Sequence, residues 1–192
     1  MAFNVQEFRA QLNLDGARPN LFQCSMSPPF NQGGADSKFS FMCKTSQLPG
    51  STVNQVPVNY FGRELKFAGN RTFTEWTVTV INDEDFIIRS SFERWMNALD
   101  SHVGNLRADG FLSGDGGYQR DAYVRQYGKQ GNVLKLYKFV GMFPIDLSPI
   151  DLDWGANDTI EEYAITFAYQ WWESQTTDSM GGSVVTPTFV GN

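Results

Sequence analysis

The sequence predicts a mainly β protein, an antiparallel β-sandwich or barrel with one flanking α-helix, on three observations. Several segments alternate apolar and polar residues with period two, one segment repeats its apolar residues at helical spacing, and Gly, Pro or Asn clusters separate them. The chain has 192 residues, 41% of them hydrophobic, 15% aromatic and 19% charged, enough to bury one core. A single domain is expected over residues 1–173, followed by a polar, Gly-rich extension over 174–192 that can serve as a packing arm.

In chain order, residues 5–12 fit a short helix, and residues 21–26 and 39–44 read as short strands. The long connection over residues 46–62 carries Leu48, Val53, Val56, Val58, Tyr60 and Phe61, but also Pro49 and Pro57, which bar it from the middle of a sheet. A loop this apolar either folds back on its own core or docks as an arm on another subunit. Exposed apolar patches mark interfaces, and the second reading makes Leu48, Pro49, Val53, Val56, Pro57, Tyr60 and Phe61 the candidate interface. A strand follows over 63–67. Over 73–81, Trp76, Val78 and Val80 point to one side and Glu75, Thr77 and Thr79 to the other, so one face packs and the other meets solvent.

Ile88, Phe92, Trp95, Met96 and Leu99 recur at three- and four-residue steps and predict a helix over 84–100. Asn82 or Asp83 caps its start, with Asp83, Glu84 and Asp85 suited to the positive end of its dipole. Strands are expected over 122–127 and 133–143. Farther on, apolar residues move from odd positions, Ile145 and Leu147, to even ones, Ile150, Leu152 and Trp154. That parity change predicts a bulge at Pro149 and sets Asp151 and Asp153 side by side on the polar face of a strand. From Glu161 onward Tyr163, Ile165, Phe167, Tyr169 and Trp171 share one face, which must be buried. Residues 27–37, the Gly-rich run 110–117 and the tail 174–192 read as linkers.

The formal net charge of −6 argues against tight DNA binding, which needs clustered Lys and Arg to neutralise phosphates. No window approaches the roughly 18–20 apolar residues of a membrane span, and the N-terminus lacks a basic region followed by an apolar stretch. Synthesis in a cytosol is therefore expected. There Cys24 and Cys43, on neighbouring strands, read as buried thiols rather than a disulfide, and the sequons at Asn70 and Asn157 stay unglycosylated.

The single histidine, His102, lies just past the predicted helix as an ordinary surface residue, too little for His-based catalysis or a zinc site. No Gly-x-Ser-x-Gly elbow occurs, and the Gly-rich run lacks the Gly-Lys-Ser/Thr ending of a P-loop. Asp151, Asp153 and Glu162 occupy positions one, three and twelve of a calcium loop, but its sixth position, which needs glycine, is Ala156. No catalytic residue, metal or cofactor is assigned.

Several segments, in order, resemble the tail tube proteins of contractile-tailed phages. They are Ala17-Arg18-Pro19-Asn20-Leu21-Phe22, Leu48-Pro49-Gly50, Ala68-Gly69-Asn70-Arg71-Thr72-Phe73 and Trp76-Thr77-Val78-Thr79-Val80-Ile81-Asn82-Asp83-Glu84. Val124-Arg125-Gln126-Tyr127, Leu152-Asp153-Trp154 and Trp171-Trp172-Glu173 complete the set, whose order and spacing hold from Ala17 to Glu173. The Gly-rich run before Tyr118 and the tail beyond Glu173 are longer than the pattern requires, so no contact is carried over there.

The resemblance implies a β-sandwich or barrel flanked by a helix, six copies per ring, and sheets of neighbouring protomers joined into one continuous inner β-barrel. Rings would stack inside a contractile sheath in the virion tail, assembled in the host cytoplasm, and conduct DNA into the host cell. The implied partners are further copies of the chain, the tail sheath protein, the baseplate and tail-terminator proteins, and phage DNA passing through the lumen without specific binding. An acidic or neutral bore lets phosphates pass, and Glu75, Asp151 and Asp153 are the candidate lumen residues, with the outer surface open to each. Two other readings remain: a baseplate tube initiator or the inner tube of a phage-derived injection or secretion system, and, from a different class, a monomeric β-barrel that binds a ligand or sugar or hydrolyses through Asp151 and Asp153.

Overall fold

The computed structural model describes residues 5–12, 16–111, 117–177 and 183–185. The elements run α1 (Val5–Gln11), β1 (Phe22–Met26), α2 (Ala35–Met42), β2 (Cys43–Ser46), β3 (Ser51–Tyr60), β4 (Arg63–Phe73), β5 (Trp76–Ile81) and α3 (Ile87–Leu99). They continue with β6 (Arg120–Tyr127), β7 (Val133–Leu147), β8 (Glu162–Ala168), β9 (Trp171–Thr177) and β10 (Ser183–Val185). This is the mainly β, antiparallel fold with few helices that the alternation predicts.

Eight strands form one hydrogen-bonded system ordered β1-β6-β7-β8-β5-β2, with β9 on β7 and β10 on β9. The long strand β7 is its corner: the first part pairs with β6 and β9, the last residues with β8. Between them Gly141 sits at φ 66°, and a Cβ added there would lie 2.9 Å from the Gln170 side chain. A residue without a side chain turns this corner at no steric cost. The bend brings the two halves of the system face to face, so Trp76 of β5 stacks on Phe139 of β7 with ring centroids 4.5 Å apart. Among the described residues no pairing joins β1 to β2, so each keeps one unpaired edge.

The core lies between these halves. Trp76, Val78 and Val80 of β5 and Tyr163, Ile165 and Phe167 of β8 are all buried, as their period-two spacing requires. Helix α3 covers them with Ile88, Phe92 and Trp95; Phe92 meets Phe167 edge-on at 5.7 Å, and Trp95 Nε1 donates to the Tyr118 carbonyl at 2.9 Å. Each such side chain removed from water is worth roughly 1.5–3 kcal/mol.

The structure corrects several local expectations. Residues 39–42, expected as part of a strand, are helical in α2, and only Cys43–Ser46 pair as β2. Tertiary contacts override the local pattern here: Phe39 packs edge-on against Phe92 at 6.0 Å, and the Lys38 ammonium bridges Asp83, at 2.6 Å, and Asp85. The expected linker 27–37 accordingly contains a 3-10 turn, Gln32–Gly34, and the start of α2.

Helix α3 starts at Ile87 rather than at residue 84, because Phe86 adopts φ 51° and breaks the helical path. Neither Asn82 nor Asp83 caps it. The Asn82 amide donates to Glu161 at 2.8 Å, and it is Asp85 Oδ1 that accepts from the Ile87 N–H at 3.1 Å. The acidic run serves chiefly as the counter-charge of Lys38, whose hydrogen bonds hold the Asp83 and Asp85 carboxyls below the usual carboxylate range.

The expected bulge at Pro149 lies upstream, at Ile145, where Pro144 pairs with Phe167 and Asp146 with Thr166. Pairing stops at Leu147 because Pro149 has no N–H to extend a ladder, and residues 148–161 form a loop, so Asp151 and Asp153 do not share a strand face. The single face drawn from Tyr163 to Trp171 also breaks. Strands β8 and β9 pair with the same side of β7 but are separated by a kink at residues 169–170 opposite Gly141. The kink shifts parity by one: Trp172 packs on the core and meets Tyr137 at 5.8 Å, while Trp171 is 46% exposed.

Pairing runs past Glu173, since β9 reaches Thr177 and carries β10. The rest of the 174–192 segment, and residues 112–116 of the Gly-rich run, lie outside the described residues.

Candidate assembly surfaces

The apolar arm expected as a loop is a β-hairpin. Strands β3 and β4 pair from Ser51 with Phe73 to Tyr60 with Arg63, as a two-stranded sheet apart from the main system. Pro57 sits inside β3 opposite Lys66. Proline is tolerated because both strands of such a sheet are edges, where its nitrogen can face the unpaired side. The connecting residues Phe61 and Gly62 have φ 45° and 80°, the primed two-residue turn whose twist matches that of the strands. Between the Val53–Arg71 and Gln55–Ala68 pairs β4 carries an extra residue. A Cβ added to Gly69 there would lie 2.9 Å from the Asn54 carbonyl oxygen, so only glycine admits this close approach of backbones.

Every residue of β3 is exposed, as is every residue of β4 except Gly69 and Phe73, which are half-buried. Neither face of the hairpin therefore meets the body of the protomer. Directly paired residues share a face, so Val56 with Phe67, Val58 with Leu65 and Tyr60 with Arg63 form one strip. Val53 falls on the opposite face, and Leu48 and half-buried Pro49 precede the hairpin. Phe61, 92% exposed at the tip, sets its ring edge-on to Tyr60 at 4.5 Å. Leu65 and Phe67, expected on a strand of their own, complete the strip; their alternation just after Phe61-Gly62 is the signal of a hairpin. The base is held to the main sheet by Trp172 Nε1 donating to the Gly50 carbonyl at 3.3 Å and by Phe73 beside Tyr169 at 6.1 Å.

The loop over residues 148–161 projects from the other end of β5. The hairpin leaves beside Trp76, the first residue of β5, whereas the loop ends at Glu162, which pairs with Ile81, the last. These points are separated by roughly 17 Å at about 3.3 Å per residue. The loop lines a cleft of about 440 Å³ with Ile150, Leu152, Trp154, Ile160 and the acids Asp151 and Asp153. Trp154 is fully exposed, and Asp153 Oδ1 accepts from the Gly155 N–H at 2.9 Å. Glu75, exposed at the hairpin base, is thus at the opposite end from Asp151 and Asp153, and the structure does not bring the three together.

Among the described residues no three His, Cys, Asp or Glu side chains are grouped to hold a metal ion, and His102 lies in an exposed turn beyond α3. Cys24 and Cys43 are free thiols, and the neighbouring Cys24 together with burial raises the pKa of Cys43. No described helix is long and apolar enough to cross a membrane.

A family model described as phage tail tube protein matches residues 17–175. The chain is 36% identical over 160 residues to tail tube protein gp19 of Enterobacteria phage T4, covering 83% of this chain and 92% of that protein. Its fold is similar to a chain of the anti-feeding prophage baseplate, with a TM-score of 0.63 at 12% identity, over 84% of this chain and 97% of the other. It is also similar to a chain of the sheath–tube complex of an extracellular contractile injection system in its extended state, with a TM-score of 0.57 at 14% identity, over 91% and 99% of the two chains.

Proposed function

The chain belongs to the phage tail tube protein family, and from that premise we propose that six copies close into a ring and that rings stack into the hollow tube of a contractile tail. Its role is structural, as a component of the virion tail. The unpaired edges of the open protomer sheet are completed by neighbouring copies, so that the sheets join into a continuous inner barrel and no edge is left to aggregate. Assembly takes place in the host cytoplasm. The sheath protein surrounds the tube, baseplate and terminator proteins bound its ends, and DNA crosses the lumen without specific binding or any catalytic step. The similarity to chains of a sheath–tube complex and of a baseplate supports these partners.

The hairpin is the observation that carries this reading. A two-stranded sheet with both faces in water is marginal on its own, and this one exposes Val56, Val58, Tyr60, Phe61, Leu65 and Phe67. Docking on another copy removes that surface from water, at roughly 1.5–3 kcal/mol per anchor before ordering costs. Stacking of like rings is a heterologous contact that does not close on itself, and a filament results. The test is Val56→Asp or Phe61→Asp, each expected to leave the circular dichroism of the folded protomer intact while abolishing tube growth. Tubes of normal length from either variant, seen by electron microscopy, would refute the docking role.

A further inference from the structure

The hairpin and the loop cleft are complementary in three respects. Their positions are opposite: one leaves the first residue of β5 and the other adjoins the last, so a contact between them joins unlike ends of two molecules. Their apolar groups correspond: the hairpin ends in the paired rings of Tyr60 and Phe61, and the loop offers a concavity of about 440 Å³ lined by Leu152, Trp154 and Ile160, all three largely exposed. Their charges are of opposite sign. The hairpin carries Arg63, Lys66 and Arg71 against the single acid Glu64, whereas residues 148–162 contain Asp151, Asp153, Asp158, Glu161 and Glu162 and no Lys or Arg.

Part of each set is already engaged inside the protomer. Glu162 pairs with Lys44 at 2.5 Å, Glu161 accepts from the Asn82 amide, and Lys66 lies 3.9 Å from Glu64. Asp151, Asp153 and Asp158 are exposed and make no ion pair among the described residues, and the same holds for Arg63 and Arg71.

Building on the tube-subunit reading above, we propose that the hairpin tip of one copy seats in the cleft over residues 149–162 of a second copy in the adjoining ring, with Phe61 and Tyr60 against Trp154, Leu152 and Ile160. Arg63 and Lys66, the basic residues toward the tip, then face Asp151 and Asp153 across the rim. A β3 strand of ten residues spans about 33 Å, which carries the tip well beyond its own protomer. The contact occurs once in each direction along the axis, so every ring presents tips on one face and clefts on the other. Arg–carboxylate complementarity at the rim sets register and partner choice, and the aromatic tip in its pocket supplies the anchor. Asp151 and Asp153 are thereby assigned to the joint between rings and not to the lumen.

The test uses the full-length chain and the fraction of protein sedimenting as tubes at fixed concentration. Variants are Asp151→Lys with Asp153→Lys, Arg63→Glu with Lys66→Glu, all four together, and Trp154→Ala, with circular dichroism confirming folded protomers. Each charge-reversed pair and Trp154→Ala should lower the sedimenting fraction at least tenfold, and the four-fold variant should recover most of that loss. Raising salt should weaken assembly of the wild type and of Trp154→Ala alike, and should partly relieve the defect of each charge-reversed pair, whose like charges it screens. If the cleft variants assemble like wild type while Phe61→Asp does not, the hairpin docks elsewhere; this inference falls and the tube function stands. If the four-fold variant is no better than either pair, the facing of these charges is wrong. Normal assembly by every variant, Phe61→Asp included, overturns both the inference and the docking role beneath it.

Discussion

Phe61 is the residue on which the proposed docking role bears most directly. A phenylalanine at φ 45° occupies the left-handed region that asparagine and glycine adopt easily, and its ring is 92% exposed. In the isolated protomer this placement is doubly unfavourable, costing on the order of 1–2 kcal/mol in backbone strain and leaving apolar surface in water. Among the described residues the only ring it meets is Tyr60 of its own turn. Phe61→Asn creates the Asn-Gly pair that this turn type prefers. Hydrogen exchange of the hairpin amides in the variant should be slower by about tenfold, corresponding to roughly 1.4 kcal/mol, while tube formation falls. Faster exchange together with normal tubes would show that Phe61 serves the turn rather than the joint.

At the scale of elements, two glycines define the geometry. Gly141 turns β7 from one half of the sheet to the other, and Gly69 admits the Asn54 backbone at the base of the hairpin. Gly141→Ala is expected to destabilise the folded protomer by about 1–2 kcal/mol, read as a lowered urea midpoint, since the new Cβ must displace Gln170 and the backbone keeps a positive φ. Gly69→Ala should leave that midpoint nearly unchanged and shorten tubes, because the hairpin contributes little to the protomer core. Equal loss of stability from both substitutions would contradict this separation of core and arm.

The same elements mark what the sequence could disclose. Buried strands were legible because Trp76, Val78, Val80, Tyr163, Ile165 and Phe167 alternate strictly, and α3 because its apolar residues recur every three or four positions. The hairpin was legible as an exposed apolar segment but not as strands, since Pro57 argues against a sheet and Phe61-Gly62 is not a common turn pair. The sheet change at Gly141, the parity shift before Trp171 and the helical turn of α2 were hidden because each depends on tertiary contacts, with Gln170, with β7 and with Phe92. Asp151 and Asp153 lie outside any strand for a related reason: the strand that precedes them ends at Leu147.

At the scale of the whole molecule, the protomer is divided in two. Its core, walled by a bent antiparallel sheet and α3, satisfies its own apolar surface, while the hairpin at one end and the loop cleft at the other expose theirs. Among the described residues the outer edges of β1 and β2 have no strand partner. On the proposed reading, neighbouring copies cover these surfaces and complete these edges. The most direct measurement is the concentration dependence of assembly for the purified wild-type chain, followed by sedimentation velocity and by negative-stain electron microscopy of the same samples. Rings and then hollow tubes that lengthen as concentration rises are expected, with scarcely any intermediate other than whole rings. A species that stays monomeric and monodisperse at the highest attainable concentration would contradict the proposed assembly.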